Sequence, residues 1–134
     1  MAEQAGRLYA RAMHRAWIVA GSVAGLTAVA MAALAAHGLP ERLDAASLQM
    51  VRNAVQMQGW HALALLATGM WSARGGRLAD LAGAAFTLGL LAFCGAVYSL
   101  ALTGVRLPAV APAGGVLLLL GWALLGASAV FARA

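Results

Sequence analysis

The chain has 134 residues, of which 63% are hydrophobic and only 10% carry a charge. A soluble domain usually has about 25% charged residues, so the composition excludes an ordinary water-soluble fold. The net charge of +5 does not indicate nucleic-acid binding, because all nine basic residues are arginines at the ends of apolar runs. We therefore expect an integral membrane protein that contacts the lipid bilayer and binds no nucleic acid.

Four apolar runs are long enough to cross a bilayer, since a spanning helix needs about 20 apolar residues. The runs cover roughly residues 16–38, 54–73, 79–103 and 108–132. Their short connectors leave no room for a second domain, so residues 1–134 are predicted to form a single transmembrane domain. The predicted fold class is all-α, an integral membrane four-helix bundle with an amphipathic interfacial helix between spans one and two.

The interfacial helix is predicted over roughly residues 43–57. Leu43, Met50 and Met57 belong to a set of apolar residues that recur every three or four positions, while polar side chains occupy the other faces. This spacing is typical of an amphipathic helix, and Asp44 is a suitable N-cap. We expect the helix to lie near the outer interface and either to bend at Gly59 or to run straight into the membrane.

The arginines favour one orientation in a bacterial inner membrane. Cytoplasmic loops carry an excess of basic residues, and six of the nine arginines fall on one side of the predicted spans. Both termini are therefore predicted to be cytoplasmic. ALAAHG at the end of the first run also imitates a secretory cleavage site, but that run exceeds the roughly 7 to 15 residues of a signal core. The six arginines are Arg7, Arg11, Arg15, Arg74, Arg77 and Arg133; Arg42, Arg52 and Arg106 fall on the other side.

Polar residues converge on the outer side in this orientation. His37 ends the first span and His61 begins the second, with Gln58 three residues before it; Cys94 and Tyr98, four apart, lie near the outer end of the third. Residues three or four apart share a helix face, and polar groups in hydrocarbon are costly without partners. We expect these five side chains to line an outer-side, ligand-binding pocket.

Each of these residues also has a simpler explanation. His37 can be solvated at a helix end, His61 can make a packing hydrogen bond, Tyr98 can belong to an interfacial aromatic belt, and Cys94 can be a small buried apolar group. Two histidines with a cysteine or tyrosine can hold copper or zinc, and two histidines can ligate haem. No paired metal-ligand motif accompanies them, so a metal or other cofactor stays undetermined from sequence. The single cysteine excludes an intramolecular disulfide.

Four segments occur in the order of one known family: ALAAHGL at 33–39, MQGWHALALL at 57–66, FCGAVYSLALTG at 93–104 and APAGGVLLLLGWALL at 111–125. Roughly residues 17–130 resemble the small bacterial membrane proteins catalogued as domain of unknown function 423, whose eukaryotic relatives are called transmembrane protein 256. The chain departs from the family pattern where Met57 replaces a tyrosine, Cys94 a serine, and Ala33 and Ala36 glycines. The matching positions are His37, Gln58, His61, Gly95, Tyr98, Pro112, Gly114, Gly115, Gly121 and Trp122.

The resemblance implies a polytopic inner-membrane protein with no agreed biochemical activity. Our leading hypothesis is a non-enzymatic protein whose outer-side pocket binds a small ligand, a lipid or a partner helix; the sequence shows no catalytic set and no phosphate-binding loop. One alternative is an oligomeric small-solute transporter or channel subunit, packed through the small-residue stripe that begins at Gly21 and Gly25. Another is a haem, quinone or metal-binding redox or assembly protein. The sequence does not determine which ligand is bound or whether anything is transported. It also leaves open whether the protein forms a homo-oligomer or binds a partner membrane protein.

Overall fold

The protein is all-helical in the computed structural model, which describes residues 1–132. Within these residues there are three helices: α1 (Ala2–His37), α2 (Ala45–Thr103) and α3 (Val110–Val130). All three are long and apolar enough to cross a membrane. The prediction of a four-helix bundle with a separate interfacial helix is therefore wrong. Arg133, one of the arginines used to predict the orientation, lies outside the described residues.

The error arises because one helix contains three of the predicted elements. α2 has 59 residues, and the non-helical conformation inside it is at Gly76, with φ 56° and ψ −145°. A straight helix of that length would be about 88 Å long, far more than the roughly 30 Å of a bilayer core. Glycine adopts this conformation without a Cβ clash, so the chain reverses at Gly76 without a loop. We call residues 45–75 the first section of α2 and residues 77–103 the second section.

Contacts between the two sections show that they lie antiparallel. The Cys94 thiol donates to the Ala54 carbonyl at 3.5 Å. Nearer the fold, the rings of His61 and Phe86 have centroids 5.7 Å apart. As the residue number rises along the first section, from Ala54 to His61, the number of its partner on the second section falls, from Cys94 to Phe86. This is the register of a chain folded back on itself.

The amphipathic stretch is the beginning of α2 and packs on protein. Gly59 does not interrupt the helix, because a single glycine costs only about 1 kcal/mol relative to alanine in a helix. Val51 is fully buried in a cluster with Ala35 of α1 and Ala101 of the second section. The apolar face predicted to lie on the lipid interface is therefore covered by the ends of two neighbouring helical segments.

α1 and α3 each pack against α2 and, within residues 1–132, not against each other. On the α1 side, a Cβ added to Gly21 would lie 2.9 Å from the Ala62 carbonyl oxygen. On the α3 side, a Cβ added to Gly121 would lie 2.5 Å from Cδ1 of Phe86. Glycines thus allow close backbone approach on both sides, and the folded-back α2 separates two faces of the molecule.

Candidate functional site

A groove of about 540 Å³ lies between α1 and the second section of α2. Its walls come from residues 20–31 of α1 and residues 87–98 of the second section, and Gln58 and Leu65 of the first section complete the lining. Small-ligand pockets usually have volumes of about 300–1,000 Å³. The lining is almost wholly apolar, and none of the described residues that form it is charged.

The groove lies between two places where α1 packs near the ends of the second section. Near the fold of α2, the Trp17 indole packs on Gly83, and its Nε1 donates to Oδ1 of Asp80 at 3.0 Å. At the opposite end, Ala35 and Ala101 belong to one buried cluster. The gap lies midway along the helices, and Val23 and Leu91 of its lining are 54% and 69% exposed. It therefore opens at the side of the molecule, which in a bilayer would face hydrocarbon.

Gln58 joins α1 to both sections of α2 at this groove. The side chain is 8% exposed, and its Nε2 donates to the Ala24 carbonyl at 3.0 Å and to Oγ1 of Thr27 at 2.6 Å. The Tyr98 hydroxyl donates to Gln58 Oε1 at 2.8 Å. One amide on the first section therefore has partners on two other helical segments, and this network forms the polar part of the groove wall.

His61 belongs to a different cluster on the α3 side. The ring is 3% exposed, and Nδ1 lies 2.7 Å from the Met57 carbonyl oxygen, which can only accept. Nδ1 therefore carries the hydrogen, and Nε2 accepts from Nε1 of Trp122 at 3.1 Å. Because both ring nitrogens have protein partners, a metal or haem iron would have to displace one of these bonds to bind His61.

The residues of the predicted pocket thus occupy three places. Gln58, Cys94 and Tyr98 line the groove, and Gln58 and Tyr98 are in direct contact. His61 is in the cluster with Trp122, and His37 is exposed at the end of α1. Residues three apart in sequence differ by about 60° around a helix, which is enough for Gln58 and His61 to face different neighbours.

Of the other positions that match the family pattern, Gly95 lies at the groove and the rest lie on α3. Gly95 lines the groove, and a Cβ added there would meet nothing within 4 Å. Gly114 and Gly121 are buried where α3 meets the second section. Pro112 is exposed and Gly115 is half-buried near the start of α3. Gly95 is therefore the position where the groove can be filled without a backbone clash.

Two polar residues of the structure were not singled out from sequence. Thr27 accepts from Gln58, although its own hydroxyl donates to the Val23 carbonyl at 2.8 Å. A threonine in an apolar helix usually makes only such a bond to its own backbone, so the sequence gives little signal for a second partner. Asp80 had a clearer signal, since an acidic residue beside an apolar run requires a partner, which is Trp17.

Residues 1–132 contain no group of three or more histidine, cysteine or acidic side chains placed to hold a metal ion. Cys94 is a buried free cysteine, and the hydrogen-bond partner of its thiol is the Ala54 carbonyl.

Comparisons with known proteins agree with the motifs. The UPF0382 membrane protein of Staphylococcus saprophyticus is 36% identical over 112 residues, which is 83% of this chain and 93% of that protein. The UPF0382 membrane protein of Haemophilus influenzae is 32% identical over 111 residues, 82% of this chain and 90% of that protein. The UPF0382 inner membrane protein YgdD of Escherichia coli K12 is 32% identical over 118 residues, 87% of this chain and 90% of that protein.

No solved structure matches the chain. The family model described as "Protein of unknown function (DUF423)" matches residues 31–115. The resemblance expected from the four segments is thereby confirmed, and the chain belongs to this bacterial family of membrane proteins of unknown function.

Proposed function

We propose that this membrane protein binds a small molecule with a long apolar body in the groove between α1 and the second section of α2. The observation that carries the proposal is the groove itself, about 540 Å³ of apolar-walled space with one polar network on its wall. An apolar cavity with a few placed polar groups is the usual form of a ligand site. The sideways opening favours a ligand that arrives through the bilayer.

The proposal includes an inner-membrane location with both termini in the cytoplasm. Two contacts support the orientation by placing residues 14–17 of α1 near the fold of α2: His14 Nδ1 lies 2.8 Å from the Gly69 carbonyl oxygen, and Trp17 donates to Asp80. Five arginines therefore gather at one end of the molecule, where the positive-inside rule favours the cytoplasm. These are Arg7, Arg11, Arg15, Arg74 and Arg77.

Native mass spectrometry of the full chain released from its membrane tests the binding. The wild type should carry a bound small molecule of defined mass. Gly95→Leu fills the groove and should lose it, whereas Gly126→Leu, on α3 and equally open around the Cβ, should keep it. A wild type without any bound mass, or equal occupancy in Gly95→Leu, would contradict the proposal.

The same preparation separates this function from an oligomeric transporter or channel subunit and from a haem or metal protein. A transporter or channel subunit is expected to need several copies around a pathway, because so few helices rarely enclose a pore. Its mass spectrum would then show an oligomer. A haem protein would show a Soret band, and a metal protein a stoichiometric metal. Any of those results would contradict the proposed binding function and favour the corresponding alternative.

A further inference from the structure

We infer that the molecule bound in the groove presents a hydrogen-bond donor, a neutral hydroxyl group, to the Gln58–Tyr98 pair. The ligand class is then an alcohol or quinol with a long apolar body, and not the corresponding ketone or quinone. This inference rests on the proposed function, because it names the chemistry of the ligand that the groove would hold.

The hydrogen positions in the network around Gln58 can be assigned because some of its atoms, the carbonyl oxygens, can only accept a hydrogen bond. The Ala24 carbonyl must accept from Gln58, so Nε2 and Oε1 are assigned without ambiguity. The second N–H of Gln58 goes to Thr27 Oγ1, whose own hydrogen goes to the Val23 carbonyl at 2.8 Å. Gln58 Oε1 then faces Tyr98 at 2.8 Å and can only accept. The single hydroxyl proton of Tyr98 is therefore committed to the protein.

The remaining donors in the groove wall are committed in the same way. The Thr87 hydroxyl donates to the Gly83 carbonyl of its own helix at 2.8 Å. The Cys94 thiol donates to the Ala54 carbonyl at 3.5 Å. The backbone N–H groups of residues 20–31 and 87–98 lie inside α1 and α2 and bond to carbonyls one turn earlier. Among the described lining residues, every side-chain donor thus already has a protein acceptor.

The groove wall can therefore still accept hydrogen bonds from a ligand, through oxygen lone pairs, but has no side-chain donor left to offer among the described lining residues. A phenolic oxygen that donates its proton keeps acceptor capacity, and an amide oxygen with one donor can take a second. A ligand hydroxyl can bond to these oxygens at Tyr98 and Gln58. A ligand carbonyl would meet lone pairs only and would stay unpaired away from water, which is unfavourable. An ammonium group would need a carboxylate, and the lining contains none.

The probes for the test are 2-heptadecanol and 2-heptadecanone. They share every heavy atom and differ by two hydrogens, one on the oxygen and one on C2, so only the alcohol can donate a hydrogen bond. The full chain in detergent receives both at equal concentration, with the alcohol deuterated so that native mass spectrometry resolves the two complexes. We expect the alcohol complex to exceed the ketone complex by about tenfold, the ratio for one hydrogen bond made or missed. Equal amounts of both complexes would overturn the inference and leave the proposed function standing.

Two variants test whether the preference for the alcohol depends on the Tyr98 hydroxyl proton or only on how the probe packs in the groove. Gln58→Leu and Tyr98→Phe both remove the same hydrogen bond, but only Gln58→Leu releases the Tyr98 proton toward the groove. The alcohol preference should fall to about one or reverse in Gln58→Leu, and it should persist in Tyr98→Phe, where Gln58 Oε1 remains an acceptor. An unchanged preference in folded Gln58→Leu would overturn the inference; if that variant does not fold, the wild-type ratio decides. Failure of both probes to bind, together with no bound molecule from the membrane, would overturn the proposed function as well.

Discussion

The Trp122 indole donates a hydrogen bond to Nε2 of His61 at 3.1 Å and thereby joins α3 to the first section of α2. Phe86 of the second section completes the cluster, with its ring centroid 5.3 Å from that of Trp122 and 5.7 Å from that of His61. Three helical segments thus meet at one buried imidazole. The geometry gives His61 a role in holding α3, on the opposite side of α2 from the groove.

Replacing Trp122 by phenylalanine should keep the ring contact and remove the donor. Nε2 of His61, in a side chain only 3% exposed, would lose its partner, and such a loss costs about 1–3 kcal/mol. Denaturant unfolding in detergent would measure it. Trp60→Phe is the matched control, because Trp60 is 57% exposed and makes no side-chain hydrogen bond within residues 1–132. Equal losses of stability in the two variants would show that the bond contributes nothing.

Gly121→Ala should destabilise the contact of α3 with the second section of α2. The new Cβ would lie 2.5 Å from Cδ1 of Phe86, and overpacking of this kind costs about 1–3 kcal/mol. Gly126→Ala on the same helix meets nothing within 4 Å and should be neutral or stabilising, since alanine is favoured over glycine in a helix by about 1 kcal/mol. Thermal unfolding of both variants tests this, and a stable Gly121→Ala would mean that α3 packs elsewhere.

The stabilisation of α2 by its N-cap residue, Asp44, should depend on pH. Hydrogen bonds from the backbone and side chain of Ser47 lower the pKa of Asp44 below its ordinary value of 3.8. Because the pKa is lower in the folded protein, the stabilisation by this cap is fully present above pH 3.8 and is lost as the pH falls through the lowered pKa. The Ser47 amide proton shift, followed by NMR, should titrate with a midpoint below 3.8. Asp44→Asn should abolish that titration, whereas a midpoint above 3.8 would contradict the cap.

The proposed orientation predicts which single cysteines are reachable from outside the cell. In a Cys94→Ala background, Glu41→Cys lies in the connector after α1, at the end away from the arginine-rich fold, and should react with a membrane-impermeant maleimide on intact cells. Gly6→Cys, among the arginines of α1, should react only after lysis. Both positions are exposed, so accessibility within the protein does not bias the comparison. The reverse pattern would place the termini outside.

The sequence was sufficient for the all-helical, membrane-embedded character of the chain, because 63% hydrophobic residues in long runs leave few other structures. It was not sufficient for the number of helices. The gap between the predicted runs 54–73 and 79–103 indicated a break, but a single non-helical residue, Gly76, reverses α2 without a separate connector. Gly59, where a bend was one of two expectations, stays helical, because a lone glycine is tolerated inside a helix at a cost of about 1 kcal/mol.

The contact of Gln58 with Tyr98 could be anticipated because two polar residues in apolar helices need partners at similar depth. The separation of Gln58 from His61 could not, since it depends on α1 and α3 packing on opposite sides of α2. The groove itself lies between the contact of Trp17 with Gly83 and the buried cluster that contains Ala35 and Ala101. These are long-range contacts that local spacing does not encode.

Photo-crosslinking in native membranes tests the central claim, binding in the groove, most directly. p-Benzoylphenylalanine in place of Leu91, which lines the groove and is 69% exposed, is compared with the same residue in place of Leu119, which is 71% exposed on α3. We predict one defined small-molecule adduct at position 91 and a mixture of bulk lipids at position 119. The same lipid mixture at both positions would contradict the claim.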